Sequence, residues 1–217
     1  MIENMFTIYK PKGPTSHDIV DQVRRVTGIR KVGHAGTLDP LAEGVLVVAV
    51  GRGATKQIDS IVKTEKEYIA KVKFGETSST DDEEGEKSQA TSEDVGITKE
   101  QIEESLKQFI GEIKQMPPIY SAIKVKGQTA YKMARKGKEI KLEPRDVLIN
   151  EIEILDYKWP YLELRFVCGP GTYIRSLARD IGEVLKVGAY LAELKRTRVG
   201  DYKIEEAIKP EEIIVKE

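Results

Sequence analysis

The sequence predicts an α+β fold with a mixed, mainly antiparallel sheet and flanking helices. Segments such as Glu67–Phe74 alternate apolar and polar residues, as half-buried strands do. Other segments, such as Thr98–Ile110, place apolar residues at helical spacing behind a Thr98–Gln101 capping box. Because the two kinds of segment are interspersed without a strict strand–helix–strand repeat, the α+β class is favoured.

In the first half of the chain, apolar spacing and the positions of Gly and Pro define the expected elements. They are a strand at Phe6–Tyr9, a turn at Lys10–Pro14, a helix capped by Thr15 or Ser16 that buries Ile19, Val20, Val23 and Val26 and ends at Gly28, a loop at Gly33–Gly44, a buried strand at Val45–Val50, and a turn at 51–53 that leads into a short helix through Ile61.

In the second half, residues 78–96 are polar and acidic and are expected to form a loop or hairpin tip. Two prolines exclude a regular element at Met116–Tyr120. The other expected elements are a helix at Thr98–Ile110 that buries Ile102, Leu106, Phe109 and Ile110, a short helix at Ala130–Lys136, a hairpin of Val147–Leu155 and Tyr161–Cys168 with a bulge near Asn150, a helix capped by Thr172 that buries Ile174, Leu177, Ala178, Ile181 and Leu185, and a strand at Ala189–Val199.

Charge is distributed unevenly, although the formal net charge is -1. Residues 76–104 contain 11 acidic and 2 basic residues, so the rest of the chain contains 25 acidic and 33 basic residues. Residues 121–147 contain 8 basic and 3 acidic residues. The sequence shows no internal repeat and no linker-like boundary, so we expect one domain over residues 1–217. The charges indicate an acidic loop at about 76–96 and a basic insert at about 115–145 within it. Such a basic surface suits a phosphate backbone, and a solvated charged face is the alternative.

The composition excludes several classes of protein. A hydrophobic fraction of 40% over 217 residues supports a real core, and no run approaches the roughly 20 apolar residues of a membrane helix. The first residues lack the pattern of a signal peptide. The single cysteine, Cys168, excludes a disulfide framework and is interpreted as a small buried hydrophobic residue. A cytoplasmic protein fits these features.

The segment Gly33–Gly44 is the densest group of residues that could carry chemistry. Its three glycines let the backbone approach a ligand closely, and Asp39 presents a carboxylate. The Lys-Ser/Thr ending of a phosphate loop is missing. No third ligand accompanies His34 and Asp39, so no metal site is expected. The alternative for Asp39–Pro40 is a plain turn or helix start.

Three further residues are candidates for binding. Arg175, near a predicted helix start, can pair with a carboxylate or a phosphate. Tyr68 and Tyr173 can stack on a base. A surface arginine and core or surface tyrosines are the alternatives. By themselves these residues indicate an enzyme that acts on an anionic polymer.

Several longer motifs resemble the TruB family of tRNA pseudouridine synthases. They occur in order over roughly residues 6–205, which argues against a chance similarity. Residues 33–46 resemble the family's signature loop, Tyr9–Asp18 its opening motif, Lys66–Tyr68 its base-stacking strand, Gln115–Lys124 with Tyr131, Ala134 and Arg135 the insert that grips the tRNA loop, Gly171–Leu177 its arginine motif, and Glu193–Arg196 its last strand.

The resemblance implies the pseudouridine synthase fold and a reaction without a cofactor or a required metal. A uridine in the T loop of tRNA, at position 55, would become pseudouridine after the uracil is detached from C1′, turned, and rejoined through C5. By the same resemblance Asp39 is the nucleophile, and the residues leave open whether it attacks C6 of the base or C1′ of the sugar. The other implied site residues are Arg175 as the ion-pair partner of Asp39, Tyr68 stacking on the target base, Tyr173 and Leu194 as further substrate contacts, and His34 occupying space in the RNA fold as bases leave it.

The expected partner is the T arm of tRNA, with no membrane and no obligate protein partner. Members of the family usually continue into a C-terminal RNA-binding domain of the PUA type, whereas this chain ends at Glu217. We therefore expect that domain to be absent and the basic insert to supply more of the phosphate contact. The residues expected at the RNA backbone are Lys10, Lys12, His17, Lys56, Lys124, Lys126 and Arg135.

Three other functions remain as alternatives. A guide-RNA-dependent pseudouridine synthase would bring a larger C-terminal part and protein partners. A tRNA-binding or tRNA-folding protein could carry out catalysis only incidentally. A glycoside-cleaving hydrolase needs two carboxylates, and Glu43 is the only acid near Asp39.

Overall fold

The computed structural model describes residues 4–90, 96–121, 123–125, 127–134 and 140–213, without the side chains of residues 124, 125, 129, 131 and 132. Strands and helices are mixed along the chain, as expected for the α+β class. The strands are β1 (Asn4–Lys10), β2 (Val32–Ala35), β3 (Glu43–Val50), β4 (Lys66–Phe74), β5 (Glu76–Ser78), β6 (Lys87–Gln89), β7 (Gly111–Gln115), β8 (Lys124–Val125), β9 (Gln128–Thr129), β10 (Arg145–Lys158), β11 (Tyr161–Cys168), β12 (Ala189–Val199) and β13 (Tyr202–Lys203). The α-helices are α1 (Ser16–Thr27), α2 (Arg52–Thr55), α3 (Ile58–Val62), α4 (Lys99–Leu106), α5 (Ala130–Ala134) and α6 (Ile174–Val184).

The chain groups into two compact units. The first unit contains Met1–Ile69 and Leu194–Glu217, and the second contains Ala70–Glu193. In the first unit β3 pairs antiparallel with β1 and with β2, and parallel with β12. The parallel pair places Lys195 opposite Glu43 and Arg196 opposite Gly44. This parallel pair, set among antiparallel ones, confirms the mixed, mainly antiparallel sheet.

Strand β3 is buried on both faces, which explains its continuous apolar run. Leu46, Val48 and Val50 pack in one cluster with the apolar face of α1. Val45 and Val47 face a second cluster, with Ala35, Ile61 and Val199. The core of the first unit therefore lies on both sides of the strand that follows the Asp39 segment.

Helix α1 begins and ends where the sequence predicts. Thr15 caps it, because its hydroxyl accepts a hydrogen bond from the Asp18 amide and the Asp18 carboxylate accepts one from the Thr15 amide. Gly28 ends it in the left-handed region, at φ 69°. One part of the prediction is wrong: Val26 is exposed rather than buried.

In the second unit β11, β10 and β7 follow one another in the sheet. The β10–β11 hairpin has a register shift between Ile149 and Glu151, so the expected bulge at Asn150 is confirmed. The acidic segment forms a short hairpin of β5 and β6 in its described part. Helix α4 opens with the expected Thr98–Gln101 capping box and packs against α6.

Three element boundaries differ from the prediction. The Gly33–Gly44 segment is not all loop, because residues 33–35 pair with β3 and β3 itself begins at Glu43. Ile110 is exposed because α4 ends at Leu106 and a 3-10 turn breaks the helical phase before it. Leu185 lies beyond the end of α6 and is only half-buried.

Candidate active site

The loop of residues 36–42 connects β2 to β3 and carries Asp39, which is half-buried. Its backbone is fixed by short-range and long-range hydrogen bonds. The Ala42 amide donates to the Asp39 carbonyl at 3.0 Å, and the Gly13 amide donates to the Pro40 carbonyl at 2.8 Å. The buried hydroxyl of Ser16 accepts from the Leu38 amide at 2.8 Å and donates to the Leu38 carbonyl at 3.0 Å. The residues on either side of Asp39, Leu38 and Pro40, are thus held in place by hydrogen bonds.

Lys10, at the end of β1, is fully buried beneath this loop. Its ammonium group donates to the carbonyls of Ala42 at 2.6 Å, Pro11 at 3.0 Å and Pro40 at 3.3 Å. Burial lowers the pKa of Lys10 to about 8, and the nearby charge of Asp39 opposes that change. The expectation that Lys10 contacts the RNA backbone does not fit this position, because a buried ammonium with three carbonyl acceptors is not available to a phosphate.

Arg196, on β12, is the second buried cation at the loop, with 1% of its surface exposed. Its Nε donates to the Val45 carbonyl at 2.8 Å and its Nη2 donates to the Gly36 carbonyl at 3.0 Å. In the sequence, Arg196 lies in a motif that resembles the family's last strand, and no role was predicted for it. The signal that could have found it is the alternation of β12, in which Arg196 shares the buried phase of Leu194.

Gly44 makes the close approach of Arg196 possible. Gly44 has φ 107°, and a Cβ at this position would lie 2.2 Å from the carbonyl oxygen of Arg196. Beside it, Glu43 accepts a hydrogen bond from the Tyr9 hydroxyl at 2.9 Å. Burial, and then the bond to Glu43, raise the pKa of Tyr9. The carboxylate of Glu43 therefore accepts a hydrogen bond from Tyr9.

His34 lies half-buried on β2. Its Nδ1 atom is buried and has no hydrogen-bond partner among the described residues. Burial lowers the pKa of His34, and the charges of Arg196 and His17 lower it further. The imidazole is therefore biased towards its neutral form.

Tyr68 and Leu194 complete the predicted residues of the first unit. Tyr68 lies on β4 and Leu194 on β12, and both are buried. Tyr68 shares its strand face with the buried Lys66, as the predicted alternation of β4 requires. Lys66 donates to the carbonyls of Val62 at 2.8 Å and Thr64 at 2.6 Å.

In the second unit, Arg175 is the second residue of α6 and is 5% exposed. Its Nη2 donates to the Tyr120 carbonyl at 2.9 Å and its Nη1 donates to the Thr80 carbonyl at 3.2 Å. Nη1 also lies 3.4 Å from Oδ2 of Asp82, which is itself 3% exposed. Asp82 was not predicted from the sequence, because the acidic segment around it has the composition of a loop or hairpin tip.

Arg179, one turn further along α6, joins the same two segments. It donates to Asp81 at 2.9 Å and to the Met116 carbonyl at 3.0 Å, and it pairs with Asp180 at 2.7 Å. Burial alone would lower the pKa of Arg179, and the surrounding carboxylates, Asp81 first, raise it overall. Helix α6 thus ties the tip of the acidic hairpin to the proline segment that leads into the basic insert.

Tyr173, rather than the predicted Thr172, is the N-cap of α6. The buried side chain of Gln115 holds its backbone, accepting from the Tyr173 amide at 2.9 Å and donating to the Tyr173 carbonyl at 3.1 Å. Thr172 instead bonds to the Gly169 carbonyl at 3.1 Å. Gln115 was not singled out from the sequence.

The other residues expected at the RNA backbone fall into two groups. Lys12, His17 and Lys56 are exposed, as such contacts require. Lys124 lies in β8 but its side chain is not described, and Lys126 and Arg135 lie outside the described residues. In the part of the chain that is described, no group of His, Cys, Asp and Glu could hold a metal ion. None of the described helices has the length and apolarity needed to span a membrane.

Comparison with known families defines the class of protein as a pseudouridylate synthase. The N-terminal domain model of the TruB family pseudouridylate synthases matches residues 24–174, and the model of the tRNA pseudouridylate synthase B C-terminal domain matches residues 175–215. The chain therefore belongs to the TruB family and is an isomerase of that family.

Individual proteins agree with this assignment. The chain is 48% identical over 210 residues to tRNA pseudouridine synthase B of Parabacteroides distasonis, covering 94% of this chain and 88% of that protein. It is 45% identical to the protein of the same name from Clostridium tetani, covering 98% of this chain and 73% of the relative. Among solved structures it resembles a chain of a Cbf5–Nop10–Gar1 complex, with TM-score 0.73 and 32% identity. This alignment covers 94% of the present chain and 51% of the solved one, so the chain spans about half of that protein.

Proposed function

We propose that the chain isomerises a uridine in the T loop of tRNA, at position 55, to pseudouridine, with Asp39 as the nucleophile. The observation that carries the proposal is that two buried cations, Lys10 and Arg196, bond to the backbone of the loop that contains Asp39 and of its flanking residues. The chain that contains this loop belongs to the TruB family. The relatives named as tRNA pseudouridine synthase B support tRNA as the substrate.

The reaction is an internal exchange of bonds. The bond between N1 of the uracil and C1′ of the ribose breaks, and a bond between C5 and C1′ forms. C5 loses a proton and N1 gains one, so the composition of the RNA does not change. A carboxylate nucleophile such as Asp39 lowers the barrier by forming a covalent intermediate that divides one difficult step into two.

Asp39 must be ionised to act as a nucleophile. Burial of a carboxylate raises its pKa, and nearby positive charge lowers it. Lys10 and Arg196, both in the same unit as Asp39, supply positive charge at its loop. We further propose Arg175, from the second unit, as the ion-pair partner of Asp39, with Asp82 and Thr80 fixing its guanidinium.

The target uridine must leave the base stack before Asp39 can reach it. Unstacking costs a few kcal/mol, and stacking on an aromatic side chain returns about 1–3 kcal/mol. We assign this stacking to Tyr68, and we assign Tyr173 and Leu194 to further contacts with the nucleotide. His34 would fill space vacated in the RNA, since its neutral imidazole enters an apolar gap at lower cost than a charged side chain.

The RNA backbone would be held by exposed basic residues. Lys12, His17 and Lys56 are exposed on the unit that carries Asp39. The basic insert belongs to the second unit and would bind the T arm. Its first residues are bonded to Arg175 and Arg179 through the carbonyls of Tyr120 and Met116. These contacts position the RNA without reading its sequence. We propose that the reaction requires neither an obligate protein partner nor a cofactor.

A guide-RNA-dependent synthase is the nearest alternative, since the solved complexes include an H/ACA RNP bound to a substrate RNA. That likeness has 30% identity and covers 50% of the solved chain. Three of the relatives named for tRNA are 45–49% identical and are covered over 73–88% of their length. The greater identity and coverage favour tRNA as the substrate.

The decisive experiment uses unmodified tRNA and Asp39→Asn. The wild-type protein should convert one uridine of the T loop, and mapping of pseudouridine would locate it. Asp39→Asn should bind a T-arm stem-loop normally and convert none of it. Glu43→Gln is the matched control, because it neutralises the neighbouring acid, which is bonded to Tyr9. Turnover by Asp39→Asn, or loss of activity in Glu43→Gln alone, would contradict a single nucleophilic carboxylate.

A further inference from the structure

Arg196 is unusual among the described residues because it is charged and yet has the largest fully buried side chain. Two carbonyls accept its hydrogen bonds, those of Gly36 and Val45. In the described part of the chain, no carboxylate forms an ion pair with its guanidinium. A buried charge without a paired carboxylate is costly, so a fold gains little stability from it compared with an apolar residue.

The two acceptor carbonyls flank the segment that carries Asp39. Gly36 is the first residue of the connecting loop, and Val45 follows it inside β3. One rigid, planar group therefore fixes the spacing between the two ends of the loop. Lys10 holds the second half of the same loop through the carbonyls of Pro40 and Ala42. The two cations therefore bind different carbonyls of the loop and its flanks.

The position of Arg196 is itself well fixed. It lies on β12, opposite Gly44 in the parallel pair with β3. The missing side chain of Gly44 lets the backbone of Arg196 come close. From this position on β12 the guanidinium donates to the carbonyls of Gly36 and Val45. Arg196 thus connects β12 by hydrogen bonds to the residues at both ends of the Asp39 loop.

We propose that Arg196 is a positioning residue for pseudouridine formation, which sets the conformation of the Asp39 loop without touching the RNA. The proposal rests on the proposed role of Asp39 as the nucleophile. A positioned nucleophile contributes mainly to the chemical step, because small displacements of a reacting atom reduce the rate far more than they reduce binding.

The test compares Arg196→Met and Arg196→Lys with Arg198→Met and Arg198→Lys. Arg198 is the matched control, since it lies two residues along the same strand and bonds to Glu65 and Gly200, away from the Asp39 loop. Each variant is assayed for melting temperature, for affinity to a T-arm stem-loop, and for the single-turnover rate of conversion.

Arg196→Met should lose roughly 10–100-fold in single-turnover rate while its affinity stays within about threefold of wild type. Arg196→Lys should recover part of the rate, because an ammonium can donate to one of the two carbonyls. Both Arg198 variants should convert RNA at the wild-type rate. This division between rate and affinity is not expected of a residue that only stabilises the fold.

Two results would overturn the inference. One is a wild-type single-turnover rate in folded Arg196→Lys and Arg196→Met. The other is a loss of rate matched by an equal loss of affinity or shared by the Arg198 variants. If Arg196→Met does not melt cooperatively, a wild-type rate in Arg196→Lys is sufficient to overturn it. Activity in Asp39→Asn, by contrast, would refute the proposed nucleophile itself.

Discussion

Replacement of Gly44 by alanine tests whether the close approach of β3 and β12 is required. The Cβ that Gly44→Ala introduces would lie 2.2 Å from the carbonyl oxygen of Arg196 and 2.9 Å from its amide nitrogen. Both are backbone atoms of a paired strand, so no side-chain rotation can relieve the contact. The strands must separate locally, and the guanidinium of Arg196 must move relative to the Asp39 loop.

Gly13 provides a closely matched control for the size of this effect. Its φ is 105°, against 107° for Gly44, and a Cβ on Gly13 would meet no atom within 4 Å. Both substitutions incur the cost of a left-handed residue, about 1–2 kcal/mol. Gly44→Ala adds the cost of overpacking, typically about 1–3 kcal/mol. The difference between the two variants isolates the steric term.

Thermal unfolding followed by circular dichroism measures this difference. For a chain of this size, 1 kcal/mol corresponds to roughly 2–4 °C in melting temperature, so an added cost of about 2 kcal/mol predicts that Gly44→Ala melts about 4–8 °C below Gly13→Ala. Equal melting temperatures for the two variants would refute the argument that the β3–β12 contact excludes a side chain at Gly44.

Two further predictions concern charge. Lys10 has a folded-state pKa of about 8 against an ordinary value of 10.5, so the unfolded chain holds more protons between these pH values and the Lys10 contribution to stability rises with pH there. The unfolding free energy of wild type relative to Lys10→Met should therefore increase from pH 8 to 10.5, with Lys12→Met as the exposed control, and a pH-independent difference would contradict the burial of Lys10. Binding of tRNA should weaken steeply with salt despite the net charge of -1, and Lys56→Glu should reduce the slope of log K against log salt by about 1. A salt-independent affinity would remove the basic residues from the proposed interface.

Much of the fold follows from local signals. The ends of α1 are set by Thr15 and Gly28, and the capping box at Thr98 starts α4. The bulge at Asn150 follows from a change in the phase of apolar residues. Each of these signals acts within a few residues, so the sequence alone is sufficient to locate the element.

Errors occur where pairing overrides local preference. Gly33 and His34 are residue types common in loops, yet they form part of a strand because they pair antiparallel with Ala49 and Val48 of β3. Thr172 has the residue type of an N-cap, yet Tyr173 takes that position because Gln115 satisfies its backbone from a distant strand. In each case the deciding partner lies outside the window that a local pattern describes.

The candidate site divides in the same way. The candidate residues Asp39, Arg175 and Tyr68 are identifiable from the sequence, because motifs fix residue type and order. The burial of Lys10 and Arg196 and the pairing of Asp82 with Arg175 are not, because they depend on distant segments meeting in space. A lysine in a turn and an arginine in a strand look like surface cations until the fold surrounds them with carbonyls. The sequence by itself determined which residue types are available for catalysis. Only the tertiary structure decided which cations hold the Asp39 loop and which remain exposed at the surface, since burial is a property of the assembled fold.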